Sequence, residues 1–269
     1  MEPTEEQAAI ALLRWYADMG VDEAVAPAPT DLQSWGAKPP EAPERQQGLK
    51  PAAPATPVFK PSPEAVPADD AIAEAKKIAA GCDSFEVLEA AVKDFGGCPL
   101  KAGAKNTVFA DGVPGSDLLV IGEAPGRDED RIGKPFVGRA GQLLDRMLAA
   151  IGRDRAKNTL ISNVIYWRPP GNRTPTQIET TMCRPFVDRL IELTNPKAVM
   201  LAGGAPMQAL LGVTGIMRAR GVWREIETPS GARFPALPIF HPAFLLRQPA
   251  NKRLAWADLL TLQTRLMED

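Results

Sequence analysis

Short apolar runs alternate with amphipathic stretches from residue 69 to the end of the chain. Asp117–Ile121, Thr159–Ile165, Ala198–Ala202 and Phe234–Phe240 are largely apolar segments of strand length, bounded by turn residues, and predict strands, and Val222–Ile226 reads as one more. Between them, residues 69–80, 84–94, 139–151, 177–194, 205–211 and 250–267 carry apolar side chains at helical spacing. Asp83 with Glu86, and Thr176 with Glu179, have the capping-box spacing that opens a helix. Strands alternating with helices predict an α/β layer fold with a central, mostly parallel sheet. Ligands of such sheets bind beyond the carboxyl ends of the strands. That rule gathers Gly122-Glu123, the residues after Asn163, Gly203-Gly204 and His241 on one rim.

The N-terminal third has a different pattern. Residues 4–19 have an apolar helical face of Ile10, Leu13 and Tyr16, and Thr4 with Gln7 has capping-box spacing, so residues 1–25 are expected to hold an amphipathic helix. Eleven of the 27 prolines fall in residues 26–68, interleaved with alanine. Proline removes hydrogen-bond donors and alanine buries little, so this stretch reads as a flexible linker, with the folded domain at 69–269. Charge divides in the same place. Residues 1–94 carry 8 Lys and Arg against 17 Asp and Glu, and residues 95–269 carry 23 against 16. A basic C-terminal part favours a polyanionic partner.

No apolar run is long enough to span a bilayer, and the acidic start, Met1-Glu2-Pro3-Thr4-Glu5-Glu6, lacks the basic region of a signal peptide. The expected compartment is the cytoplasm, with no membrane partner. Cys82, Cys98 and Cys183 are too few and too scattered for a disulfide framework.

Several rim residues have chemistry to offer. Gly122-Glu123-Ala124-Pro125-Gly126 lets the chain turn tightly and approach a ligand, and a polar run, Arg127 to Arg131, follows it as a loop. The segment fits neither phosphate-binding glycine fingerprint. Phe136, between Pro135 and Val137, is more often a core aromatic than a stacking platform, and the helix start at Gly138-Arg139-Ala140-Gly141 could hold a phosphate. Asn163 offers a donor and an acceptor on one amide. Arg168-Pro169-Pro170-Gly171-Asn172-Arg173 is a stiff basic turn suited to a phosphate. His241, the single histidine, sits at a strand end before Pro242; on the tight loop that follows, Leu245 and Leu246 beside Arg247 suit either a core or a wedge between stacked bases.

Taken together, these segments resemble family 4, the iron–sulfur type, of the uracil-DNA glycosylase superfamily. The resemblance runs over about residues 95–265. It rests on Gly-Glu-Ala-Pro-Gly at 122–126, Gly-Lys-Pro-Phe-Val-Gly-Arg-Ala-Gly at 133–141, Asn163, Arg-Pro-Pro-Gly-Asn-Arg at 168–173, Cys-Arg-Pro-Phe at 183–186 and His-Pro-Ala-Phe-Leu-Leu-Arg at 241–247, in family order. It implies a three-layer αβα fold around a mostly parallel four-stranded sheet. It also implies a monofunctional enzyme that flips uracil out of single- or double-stranded DNA, hydrolyses its glycosidic bond and leaves an abasic site. Phe136 would then stack on the base, with Gly122 and Ala124 beside it, and Asn163 would bond its N3/O4 edge. His241 would stabilise charge on O2, while Glu123, or Asp128 and Glu129, would place the water. Arg168, Asn172, Arg173 and Arg247 would grip the backbone, and Leu245 or Leu246 would fill the vacated stack.

Two departures from the family pattern carry expectations. The family holds a four-iron cluster on four cysteines; here Cys98 and Cys183 match two ligands, and Phe95 and Trp167 stand at the others. Two thiolates cannot hold such a cluster, so no cofactor is expected and aromatic packing is expected in its place. Gly126 stands where the best-known relatives carry a tyrosine that excludes thymine's methyl group, which opens the pocket to other deaminated bases. A monomer is expected, with residues 4–19 available to a protein partner. Two other readings stay open: a catalytically lapsed DNA-binding module, and a phosphate-ester hydrolase using the Asp128-Glu129-Asp130 run.

Overall fold

The computed structural model describes residues 67–267. The expected helix within residues 1–25 lies outside the described residues, as does the linker up to residue 66. Helix α1 (Ala68–Gly81) begins at what was expected to be the linker's last residue. It is followed by α2 (Phe85–Asp94), β1 (Ala110–Gly112), β2 (Leu118–Gly122), α3 (Arg127–Ile132), α4 (Arg139–Ala149), β3 (Thr159–Asn163) and α5 (Gln177–Thr194). Then come β4 (Ala198–Ala202), α6 (Gly204–Leu211), α7 (Ile216–Ala219), β5 (Arg224–Glu227), β6 (Arg233–Ile239), α8 (Pro242–Arg247) and α9 (Lys252–Met267).

The strands form one sheet in the order β1-β3-β2-β4-β6-β5. The four central strands are mutually parallel, as expected, but β1 on β3 and β5 on β6 add antiparallel edges, so the sheet has six strands rather than four. The apolar runs are continuous because both faces are covered. Leu119 and Ile121 of β2 pack with Leu88, Phe95, Phe186, Val187 and Leu190, under α2 and α5. Leu118 and Val120 pack on the other face with Leu144, Leu148, Leu259 and Leu262 of α4 and α9. The period-two alternation within one strand thus divides two cores, and the three layers follow from it. Among the described residues, no helix is long and apolar enough to cross a membrane.

Three local readings need correction. The cap of α2 is Ser84, whose hydroxyl accepts from the Val87 amide, not Asp83. The polar run from Arg127 is helix α3 rather than a loop, because the Glu129 side chain turns back to accept from the Gly126 amide. Residues after His241 form the short helix α8 rather than a tight loop. The box at Thr176 and Glu179 is present as expected.

Candidate active site

The carboxyl ends of β2, β3 and β6 meet at a cavity of 430 Å³ whose walls include Glu123, Ala124, Phe136, Asn163, His241 and Arg247. Gly122 and Asn163 are register partners at the ends of β2 and β3. A Cβ on Gly122 would lie 2.5 Å from both Asn163 Oδ1 and the Phe136 ring, so the absence of a side chain there lets the amide and the aromatic close on one point.

Asn163 is 2% exposed, and among the described residues no side chain or backbone group engages its amide. A buried amide facing a cavity with bonds unmade is prepared for a ligand that makes them. Phe136 adopts φ +53°, a region that costs a non-glycine residue. Its ring lies offset and nearly parallel to the His241 imidazole, with centroids 5.7 Å apart and planes at 29°.

His241 caps α8. Its Nδ1 accepts from the Ala243 amide at 3.1 Å, which leaves the proton on Nε2 as a donor. The imidazole is held at about 4, below its ordinary 6.5, first by burial and then by the Arg247 charge, with Glu129 pulling the other way. It is therefore neutral at pH 7. Burial pushes the Glu123 carboxyl up. Glu123 also lines a second cavity of 230 Å³, walled by Thr174, Gln177 and Gln208.

Residues 109–260 match the family described as the uracil DNA glycosylase superfamily. Over 179 residues the chain is 36% identical to the type-4 uracil-DNA glycosylase of Thermotoga maritima, a match that takes in 65% of this chain and 91% of that protein. It is 38% identical over 157 residues to the type-4 enzyme of Archaeoglobus fulgidus, covering 56% of this chain and 78% of that one. It is 34% identical over 180 residues to that of Pyrobaculum aerophilum, covering 65% and 91%. The chain belongs to the uracil-DNA glycosylase superfamily, in its type-4 branch.

For a member of this branch, the residues at the cluster position do not fit a four-iron group. The Phe95 ring is buried 6.4 Å from Trp167 and edge-on to Phe186 at 5.1 Å. Trp167 donates its indole N–H to Thr107 Oγ1 at 3.0 Å. The Cys183 thiol hydrogen-bonds Cys98, which lowers Cys98 and, with burial, pushes Cys183 well up. Aromatic rings and two free, buried thiols occupy the space, and among the described residues no group of three or more His, Cys, Asp or Glu could hold a metal.

The other candidates separate. Glu129 lines the cavity, but its Oε1 accepts from the Val137 and Gly138 amides at 3.0 Å each, and Oε2 from Gly126 at 3.1 Å. A carboxylate thus already sits at the helix start expected to hold a phosphate. Asp128 is absent from the cavity wall and faces Arg131 at 3.6 Å. Asp130 is buried and accepts from the Lys105 and Asn106 amides. The three acids serve three separate ends, which removes the metal-cluster basis of the phosphate-ester hydrolase.

In the basic turn, Arg173 lines the cavity but commits its guanidinium to Glu179 at 2.6 and 2.9 Å, and Arg168 bonds Asn172 at 2.7 Å. Arg173 is thus engaged through both terminal nitrogens, whereas, among the described residues, Arg168 is engaged through Nε alone. Arg247 is exposed at the cavity mouth. Leu245 is 1% exposed within the core under α9, which corrects its reading as a wedge; half-exposed Leu246 is the leucine still available.

Proposed function

We propose that this protein is a monofunctional DNA glycosylase of DNA repair that removes uracil everted from DNA, as the type-4 relatives are named to do. The observation that carries the reading is the trio on one cavity: an unpartnered buried amide, a strained aromatic and a neutral imidazole with its Nε2–H unengaged. Phe136 offers the flipped base a stacking surface, an interaction worth about 1–3 kcal/mol per base. Asn163 donates to O4 and accepts from N3–H. The C1′–N1 bond breaks with its electron pair on the departing base. The negative charge collects on N1 and O2, and the sugar becomes oxocarbenium-like. The His241 N–H meets that charge; one such donor is typically worth about 2.7–4 kcal/mol. A water held near Glu123 adds its oxygen to C1′, and its proton leaves with the base or to solvent. No lysine takes part, so the product is an intact strand with an abasic site.

The cluster of the branch is lost here, its place taken by the Phe95 and Trp167 rings. Gly126 puts no bulky side chain on the cavity wall, the Glu129 carboxylate taking the space beside it, and the pocket accepts other deaminated bases besides uracil. The protein works as a monomer in the cytoplasm on single- or double-stranded DNA, through Arg247 and Leu246, and takes a protein partner through residues 4–19. Incubating purified protein with oligonucleotides carrying one uracil, hypoxanthine, thymine or cytosine, in EDTA, tests this. Expected are free uracil, an alkali-labile site and no absorbance near 400 nm; no release from the uracil strand, or a brown protein, overturns the corresponding claim.

A further inference from the structure

Phe136 sits in a backbone conformation that has to be held, and the groups holding it lie largely outside the cavity. From one side, Glu129 accepts from the amides of the two residues after it, Val137 and Gly138. From the other side, Arg155 donates to the carbonyl of Phe136 at 2.8 Å and to that of Pro135 at 3.1 Å. Four consecutive residues, 135 to 138, thus each have a backbone polar group fixed by a charged side chain. The Arg155 fork is itself aimed: Asp145 takes it at 2.7 and 2.9 Å and Asp111 at 3.0 Å, while Lys134 bonds the second Asp111 oxygen at 2.8 Å. Its side chain is 17% exposed, so its bonds to Asp111 and the two carbonyls are sheltered from water, while Asp145 holds the fork from the solvent side. The Phe136 carbonyl is also pressed against α4, where a Cβ on Gly141 would overlap it at 1.8 Å.

We propose that Arg155 is a positioning residue for base release, acting through the Phe136 backbone: with Glu129 opposite, it clamps the loop so that the ring stays at φ +53° over the cavity. This rests on the reading of Phe136 as the stacking surface for the base. It also gives the three-residue strand β1 a task, since β1 brings Asp111 against Arg155. Lysine could reach a single carbonyl but lacks the planar fork that spans two carbonyls and two carboxylates.

The test is a double-mutant cycle on single-turnover uracil release at saturating protein, with Arg155→Gln, Arg155→Lys and Phe136→Ala, singly and combined. Arg155→Gln should slow release roughly tenfold to a hundredfold, the scale of an ångström-sized misplacement. Arg155→Lys should recover part of that. In the Phe136→Ala background, Arg155→Gln should cost less than about threefold, because the ring it positions is gone. Exchange of the Val137 and Gly138 amides should quicken in Arg155→Gln. An unchanged rate in Arg155→Gln, or its full loss repeated on top of Phe136→Ala, overturns the proposal. A silent Phe136→Ala overturns the stacking reading instead and with it the positioning role, whatever the exchange rates show. If Arg155→Gln does not fold, Asp145→Asn, which loosens the fork from its exposed end, takes its place in the cycle: slowed release that vanishes in the Phe136→Ala background supports the proposal, and an unchanged or fully additive effect overturns it.

Discussion

His241 is the single histidine of the chain, so one proton resonance reports its charge. Burial first, then Arg247, hold it at about 4. An unfolded chain takes up this proton below 6.5, whereas the folded protein resists until about 4. The histidine's contribution to stability is therefore complete above 6.5 and is lost as the pH falls through about 4. An NMR titration should show a midpoint near 4, and uracil release should show no step near 6.5; a midpoint at 6–7 would contradict the assignment of a neutral donor. Two glycines carry equally local predictions. Gly122→Ala puts a methyl 2.5 Å from Asn163 Oδ1 and the Phe136 ring, and should cut release at least about tenfold. Gly141→Ala drives its Cβ into the Phe136 carbonyl and should lower both activity and the thermal midpoint. Wild-type rates in either variant would mean that the ring and the amide are not packed as described.

At the scale of elements, the loop before α5 depends on one charged pair. Glu179 accepts from the Thr176 amide and pairs with Arg173, while Thr176 caps the helix in return. Thr176→Ala should cost about 1 kcal/mol in urea denaturation, with α5 still formed. The elements legible in the sequence were those whose burial writes a pattern. The central strands are largely apolar because both faces are covered, and α5 carries both its period and its capping box. Strand β1, Ala110-Asp111-Gly112, has no apolar pattern; it is a strand because β3 pairs with it. Helix α3 is all polar but for Ile132 and is closed by Glu129 reaching back to Gly126, a contact no spacing rule announced. Within the site, Asn163, Glu123 and His241 were findable because strand ends mark the rim, whereas Phe136, between two helices, was findable only through the family resemblance. Arg155 was not, since an arginine in a connecting loop looks the same whether it is solvated or bonded to a carbonyl 19 residues away. Leu245 was misplaced because a leucine beside an arginine gives no sign of which way a short helix will turn it.

For the whole molecule, the proposed loss of the cluster leaves its structural work to the aromatic core under α5. Phe95 contacts Trp167 and Phe186 and folds back over Gly97, where a Cβ would meet its ring at 2.5 Å. Phe95→Ala should therefore cost about 3–5 kcal/mol of unfolding free energy by denaturant titration; a loss below about 1 kcal/mol would mean the rings are not what fills that space. Among the described residues the walls of the cavity begin at Glu123, and deleting residues 1–66 should leave base release within about twofold of the full chain. The account as a whole stands on His241 meeting the charge of the departing base. Its most direct test is the single-turnover rate of uracil release by His241→Ala set against the unaltered protein at pH 7.5. A fall of about a hundredfold to a thousandfold is predicted, and a rate within about threefold would contradict it.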